Sequence, residues 1–321
     1  MKALVTGGTG FVGSHLLEHL LRRGDTVRAL VRSPEKARGL GLEGIEWVRG
    51  DLDDLPALTR ATQGVDVVYH VAGLVAARDE AEFHRVNVEG TRRLLEAASP
   101  FGPRFVLVSS LAAGGPSVPG RPLTGAEPPR PVSAYGRSKL GAEAVVQGGT
   151  LPWTILRPPA VYGPRDREMY RVFRSAQLGI APVLGTGLQE LSLVYGPDLA
   201  EAIIAAGTSS QTPGGIFYAA HPDVTTSERL VRRVAGQMGR GVRVLRIPEA
   251  VGRGALQVTG ALARLADKAT ILNADKANEL FQAAWTVDPT PLTEATGWRA
   301  AHDLDAGIAR SIAWYRNAGW L

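Results

Sequence analysis

A glycine-rich turn between a strand pattern and a helix pattern, at the start of the chain, constrains the fold more than any other feature. It reads Thr6-Gly7-Gly8-Thr9-Gly10-Phe11-Val12-Gly13, after the strand pattern Lys2 to Val5 and at the head of an amphipathic stretch from Phe11 to Arg23. Two glycine patterns overlap in it, one through Gly8, Gly10 and Gly13 and one through Gly7, Gly10 and Gly13. A tight strand-to-helix turn needs φ values that glycine adopts freely, and a backbone without Cβ admits a pyrophosphate closely. The free N–H groups at the helix start, at Phe11 and Val12, then bind the anion. Gly7, Gly10, Phe11, Val12 and Gly13 are therefore the candidate dinucleotide-phosphate residues.

The strand–helix theme recurs along the first half of the chain. Short apolar runs at Thr26 to Val31, Ile45 to Arg49, Val65 to His70, Phe105 to Ser109 and Trp153 to Arg157 read as strands. Helical spacing marks a long helix over Glu80 to Ala98 and another over Tyr135 to Val146. Such alternation implies parallel strands joined by crossover helices, hence an α/β fold with a doubly wound, Rossmann-type parallel sheet. With 321 residues, 45% of them apolar, the chain is long enough for a full core. After Arg157 the pattern loosens: a strand–helix unit at Leu191 to Ala206, a strand at Ile216 to Ala219, and helices over Ser227 to Met238, Ala250 to Ala266 and Asp303 to Asn317. We expect a dinucleotide-binding domain over 1–165, with sheet elements returning near 190–220, and a smaller, interleaved substrate-binding domain over 166–321.

Composition removes several function classes. Cysteine is absent, which excludes disulfides, thiolate metal sites and a cysteine nucleophile. No metal site is expected from the six histidines. The net charge of +5 comes from scattered arginine, since only Lys2, Lys36, Lys139, Lys268 and Lys276 are lysines; a nucleic-acid partner is not implied. No apolar run is long enough to span a membrane and no leader pattern precedes the first strand, so a cytoplasmic location is expected.

Two further sites carry chemistry. An acid at the end of the second strand would accept hydrogen bonds from a ribose 2′-hydroxyl. Here that end reads Leu30-Val31-Arg32-Ser33. Arg32 suits a 2′-phosphate, which favours NADP (NADPH) with NAD possible; alternatively it is solvated, or stacks on adenine in an NAD enzyme. Tyr135-Gly136-Arg137-Ser138-Lys139 puts a phenol and an ammonium on one helical face, where the cation should favour phenolate and make Tyr135 an acid–base group. Ser110 ends the fifth predicted strand, at the sheet edge where ligands bind, and could hold a carbonyl oxygen that Tyr135 protonates.

With these residues in view the sequence resembles an extended short-chain dehydrogenase/reductase, in the superfamily of NAD(P)-dependent epimerases, dehydratases, dihydroflavonol reductases and 3β-hydroxysteroid dehydrogenases. The resemblance also covers Asp51-Leu52, His70-Val71-Ala72-Gly73, Asn87, Ser109-Ser110, Leu156-Arg157-Pro158 through Tyr162-Gly163-Pro164, and Pro197-Asp198-Leu199-Ala200. It implies that Asp51 and Leu52 contact adenine, that Ala72 and Gly73 line the cofactor, and that Lys139 binds the nicotinamide ribose. It implies that Pro158 to Val161, including Ala160, lie against the nicotinamide, and that Ser110 is the serine of its pair that works with Tyr135 and Lys139. Asn87 either touches the cofactor or bridges its helix to nearby backbone.

Departures from the family narrow the chemistry. Sugar-nucleotide epimerases usually carry an Asn where Ala160 stands and an Arg where Leu191 stands, and dehydratases follow the catalytic hydroxyl with Asp-Glu where Leu111-Ala112 stand. The expected activity is thus hydride transfer between nicotinamide and a hydrophobic ketone or secondary alcohol. The alternatives are a sugar-nucleotide epimerase and, in another class, a non-catalytic dinucleotide-binding protein. His70 is expected to be a packed core residue. The stretch Val251 to Leu265 is expected to form a mobile wall of the substrate pocket, with a membrane-surface helix as the alternative, weakened by Gly252, Gly254 and Gly260. Apolar stripes through Leu94 and Leu95, and through Leu140, Ala144 and Val145, suggest a homodimer built on those two helices, as in many relatives, unless both stripes face the sheet.

Overall fold

The computed structural model describes all 321 residues. Six strands come in the expected order: β1 (Lys2–Thr6), β2 (Thr26–Val31), β3 (Ile45–Arg49), β4 (Val67–His70), β5 (Arg104–Val108) and β6 (Trp153–Arg157). A seventh, Gly215–Tyr218, joins from far along the chain. Together they form one parallel sheet in the spatial order β3-β2-β1-β4-β5-β6-(Gly215–Tyr218). The order reverses between β1 and β4, so this is a doubly wound Rossmann-type sheet with its crevice at that reversal. The fourth strand starts two residues later than the periodicity suggests. Asp66 spends its carboxylate on the backbone N–H of Lys2 (2.7 Å) just before the strand begins.

Apolar layers cover both faces. On one, Leu16, Leu17 and Leu20 from helix Phe11–Arg22 meet Leu199 and Ile203 from helix Gly196–Thr208. On the other, Leu58, Leu94, Leu95, Ala142 and Val146 pack on Leu4, Phe105, Leu107 and Ile155. Leu94 is 0% and Leu95 8% exposed, so that stripe faces the protein's own sheet. The dimer expectation placed Leu95 outside; sheet packing claims it instead.

Two helices that periodicity overlooked had legible caps. Pro34–Arg38 and Leu55–Thr62 start on Ser33 and Asp54, whose side chains accept from Lys36 and Ala57 N–H, each with a proline in the first turn. The long helix over Glu80 to Ala98 is not uniform. It runs as Glu80–Phe83, a π-helical turn at His84–Glu89, and Gly90–Ala98. Such turns are frequent at functional sites.

Beyond β6 the chain builds small sheets: Ala160–Tyr162 beside Leu193–Tyr195, Ile180–Leu184 beside Arg243–Ile247, and Glu190–Leu191 between Thr225–Thr226 and Ala284–Trp285. A separate core of Tyr162, Phe173, Tyr195, Leu230, Ile308 and Tyr315 holds this part together.

Candidate active site

Parallel register brings the strand ends to one edge. Thr6 is level with Leu30 and with His70, His70 with Leu107, and Val108 with Leu156. The glycine turn, Arg32, Ala72-Gly73, Ser110 and Pro158 all emerge at this edge. The turn fits a phosphate cradle. Gly7 has φ +73°, and a Cβ there would lie 2.7 Å from the Ala72 nitrogen; a Cβ on Gly13 would collide with the Gly7 carbonyl. The helix begins at Phe11 behind Gly10, with no side-chain cap, which leaves its first N–H groups for an anion. The Phe11 ring turns away, onto Gly196 and His15. Arg32 is exposed and carries no ion pair; the nearby Glu35 is engaged by Ser33 Oγ (2.7 Å) and Arg38. These residues therefore fit a pyrophosphate and leave a guanidinium available beside it.

Behind the turn runs a buried polar chain. Thr6 Oγ1 lies 2.7 Å from His70 Nδ1, His70 Nε2 lies 2.9 Å from Thr91 Oγ1, and Thr91 donates to the Asn87 carbonyl (2.6 Å). Thr91 thus accepts from Nε2–H, which leaves Nδ1 to accept from Thr6. Burial holds His70 at a pKa of about 3, so it is a neutral, packed histidine, as expected. The Asn87 side chain is fully used: Oδ1 accepts from Leu74 N–H (2.7 Å), and Nδ2 donates to the Leu74 carbonyl (3.1 Å) and Ser138 Oγ (2.9 Å). It bridges the π-helical turn to the loop after β4. Thr91 and Ser138, which periodicity treated as ordinary helix positions, are part of this support.

Tyr135 and Lys139 share one helix, and Ser110 stands on the turn after β5 that packs against it. Tyr135 lies on the first turn of helix Ala134–Gln147, capped by Ser133, with its ring 5.9 Å from that of Phe83. Ser110 caps the short helix Leu111–Gly114, its hydroxyl accepting from Ala112 N–H (3.1 Å). Ser109 faces the other way, onto the buried Glu143 carboxylate. Leu111 N–H donates to the Pro158 carbonyl (2.9 Å), which ties the Ser110 turn to the end of β6.

The electrostatics differ from the simple pair. Burial pushes the Tyr135 phenol up to about 12; Ser110 pulls it down and the Glu279 charge adds to the rise. The Lys139 Nζ donates to the Val108 carbonyl (2.8 Å) beneath Gly73. Burial lowers Lys139 to about 8, and the Glu143 carboxylate opposes that fall. Glu143 is itself clamped by Arg157 Nε (2.9 Å) and Nη2 (2.6 Å), with both side chains almost fully buried. Glu143 stands one turn beyond Lys139, so its placement repeats the Tyr135–Lys139 spacing.

The other candidates sit around this centre. Asp51 is exposed after β3, its carboxylate accepting from Asp53 N–H (2.9 Å), and Leu52 packs on Gly90. Ala160 is exposed, while Val161 pairs with Val194 and leans on the core. Leu191 lies in a small strand beside Thr225 and Trp285. Next to Tyr135 a cleft of about 270 Å³ opens between Ala77, Phe83 and Ala134 on one side and Gln257, Gly260 and Ala263 on the other. A larger polar groove of about 890 Å³ lies at the opposite sheet edge, around His19, Arg22, Ser209 and Thr296, away from these side chains.

Residues 3–220, which carry the glycine turn, Ser110, Tyr135 and Lys139, match the NAD dependent epimerase/dehydratase family. The chain belongs to that family. Within it, this extended short-chain dehydrogenase/reductase is similar to a ceramide reductase of Caulobacter vibrioides, 34% identical over 99% of this chain and 95% of that protein. It is also similar to a 4-hydroxy-2-methyl-3-oxo-4-farnesyl-3,4-dihydroquinoline-1-oxide ketoreductase of Stigmatella aurantiaca, 38% identical over 52% of each chain. Among solved structures it resembles the UDP-glucose 4-epimerase of Thermus thermophilus in complex with NAD, at TM-score 0.79 and 26% identity over 99% of this chain and 100% of that one. The chain is an enzyme of the NAD-dependent oxidoreductase/epimerase type.

Proposed function

We propose that this chain is an NAD(P)-dependent carbonyl reductase, or the reverse alcohol dehydrogenase, for a hydrophobic ketone or secondary alcohol. The observation that carries the reading is the packing of the Ser110 turn against the first turn of the Tyr135 helix, at the sheet edge that also holds the glycine turn. When bound, the nicotinamide supplies or accepts the hydride. Ser110 orients the substrate oxygen, and Tyr135, protonated at neutral pH, donates a proton to it. Lys139, held between the Val108 carbonyl and Gly73, binds the ribose hydroxyls in this reading. Asn87 is a positioning residue for the loop at Ala72 and Gly73. Residues 1–165 hold the cofactor, and residues 166–321 shape the substrate side.

Three observations favour an apolar carbonyl over a sugar nucleotide. Ala160 has no amide to hold a diphosphate, Leu191 is built into a small strand, and the ceramide and farnesyl-quinoline reductases carry lipid-like groups in their names. The second reading, a sugar-nucleotide epimerase, draws on the likeness to the UDP-glucose 4-epimerase. NADPH oxidation against a panel of ketones, beside a UDP-sugar binding titration, decides between them: turnover of apolar ketones without UDP-sugar binding supports the first, and the converse supports the second. The exposed Arg32 supports NADPH over NADH. For assembly we propose a cytoplasmic homodimer, with the outer faces of helices Gly90–Ala98 and Ala134–Gln147 in contact; a single sedimenting species near 34.0 kDa overturns it.

A further inference from the structure

The helix that carries Tyr135 is completed at its start by residues from far along the chain. The first N–H groups of a helix have no partner within it. Ser133 Oγ accepts from Gly136 N–H (3.0 Å), which satisfies one of them, and donates its own proton to the Glu279 carboxylate. Ala134 N–H, one residue before Tyr135, donates to the Asp275 carboxylate (2.8 Å). Asp275 and Glu279 stand four residues apart on helix Ala274–Leu280, and so share one face of it. Lys276 Nζ takes the other Glu279 oxygen. Ser133, Ala134 and Glu279 are all buried, so losing a partner here leaves a polar group that water does not reach freely.

Helix Ala274–Leu280 is itself fixed from behind by helix Glu249–Leu265, which buries Gly252, Leu256 and Gly260. A Cβ on Gly260 would lie 3.1 Å from the Cβ of Asn273, which caps the shorter helix, and one on Gly252 would lie 2.6 Å from the ring of Phe281, which ends it. The glycines of this stretch thus serve close packing at both ends of helix Ala274–Leu280. Trp285 Nε1–H donates to the Glu279 carbonyl (2.9 Å). Asn273, Ala274 and Asp275 also line the cleft beside Tyr135, opposite Phe83. One element therefore both walls the cleft and anchors the Tyr135 helix. We propose that Asp275 and Glu279 are positioning residues for Tyr135, holding the first turn of its helix so that the phenol meets a substrate in the cleft. This rests on the proposed proton-donor role of Tyr135 and adds the side chains that aim the donor. A misplacement of about 1 Å at a reacting group can cost on the order of 10²-fold in rate.

Steady-state kinetics and amide hydrogen exchange on the full chain test this together. Asp275→Ala should lower kcat for ketone reduction by about tenfold or more, with KM changed less than about twofold and NADPH affinity retained. The same variant should speed exchange in the segment 134–137 by at least about tenfold and leave the sheet strands unchanged. Asp275→Asn, which keeps an acceptor oxygen, should restore both readouts to near the wild-type values. Glu279→Ala releases Ser133 instead and should give the same pattern, which covers the case in which Asp275→Ala folds poorly. Wild-type kcat and wild-type exchange in the alanine variants overturn the proposal. So does a rise in KM with kcat unchanged, because Asp275 would then only line the cleft. An asparagine variant as slow as the alanine one also overturns it, because charge and not the hydrogen bond would then matter. A wild type that reduces no ketone overturns the proposed reaction instead; exchange then decides the anchoring by itself, faster exchange confined to 134–137 supporting it and unchanged exchange overturning it.

Discussion

In residues 1–165 every candidate site group stands at the end of a sheet strand, or on the turn or helix after it. Residues 166–321 reach the helix Ala134–Gln147 by another route. The Asp275 carboxylate accepts from Ala134 N–H (2.8 Å), and Glu279 takes the Ser133 hydroxyl, both from the short helix Ala274–Leu280. The first region places chemistry by register, which any parallel sheet imposes. The second does so by a few long-range side-chain contacts that no local pattern announces. Under the proposed function, cofactor and proton chemistry therefore sit in the first region and the substrate side in the second.

The largest effect should come from removing the proton donor. Tyr135→Phe should lower kcat by about 10²- to 10⁴-fold while NADPH affinity stays nearly unchanged. A variant that turns over like wild type would remove the catalytic centre from the first region. Next comes the buried pair beneath the site. Glu143→Ala leaves Arg157 uncompensated and should destabilise the protein by about 3–5 kcal/mol, read by denaturant unfolding. Double substitution with Arg157→Met should recover part of that loss, which separates pair rupture from simple loss of packing.

Arg32→Ala should weaken NADPH binding by roughly 10- to 150-fold and leave NADH nearly untouched, measured by fluorescence titration. Equal wild-type affinity for both cofactors would mean that Arg32 is only solvated or stacks on adenine. A pH experiment probes the first region further. His70 has a folded pKa of about 3 against 6.5 unfolded, so between these values the unfolded chain binds the extra proton. Its contribution is fully present above pH 6.5 and is lost as pH falls toward 3. His70→Gln should flatten the acid side of a Tm–pH curve relative to wild type. The smallest expected change reaches the site from the second region. Because the Glu279 charge raises the Tyr135 pKa, Glu279→Gln should move the alkaline limb of the reduction profile to lower pH. An unmoved limb would mean that the C-terminal half does not reach the phenol electrostatically.

Local signals and tertiary packing divided the work visibly. The glycine turn, the strand ends at Arg32, Gly73 and Ser110, and the Tyr135–Lys139 spacing are readable along the chain. Backbone φ limits, strand period and helix period act over a few residues, and parallel register carries them to one edge. The caps at Ser33 and Asp54 were equally local, although periodicity passed over helices as short as theirs.

Other features depended on what lies across space. Whether Leu95 faces a partner or the sheet depends on Phe105 and Ile155 beyond it. Where the Lys139 ammonium goes depends on the Val108 carbonyl, not on Tyr135 one turn away. That Gly252 and Gly260 sit on the inner face of their helix depends on Phe281 and Asn273 arriving there. Sequence by itself determined the sheet, the edge where its strands end and the residues that stand on it, because those arise from short-range geometry. Only the tertiary structure decided their charges, the buried Glu143–Arg157 support and the contacts of Asp275 and Glu279 with the start of the Tyr135 helix, because burial and desolvation depend on neighbours brought from far along the chain.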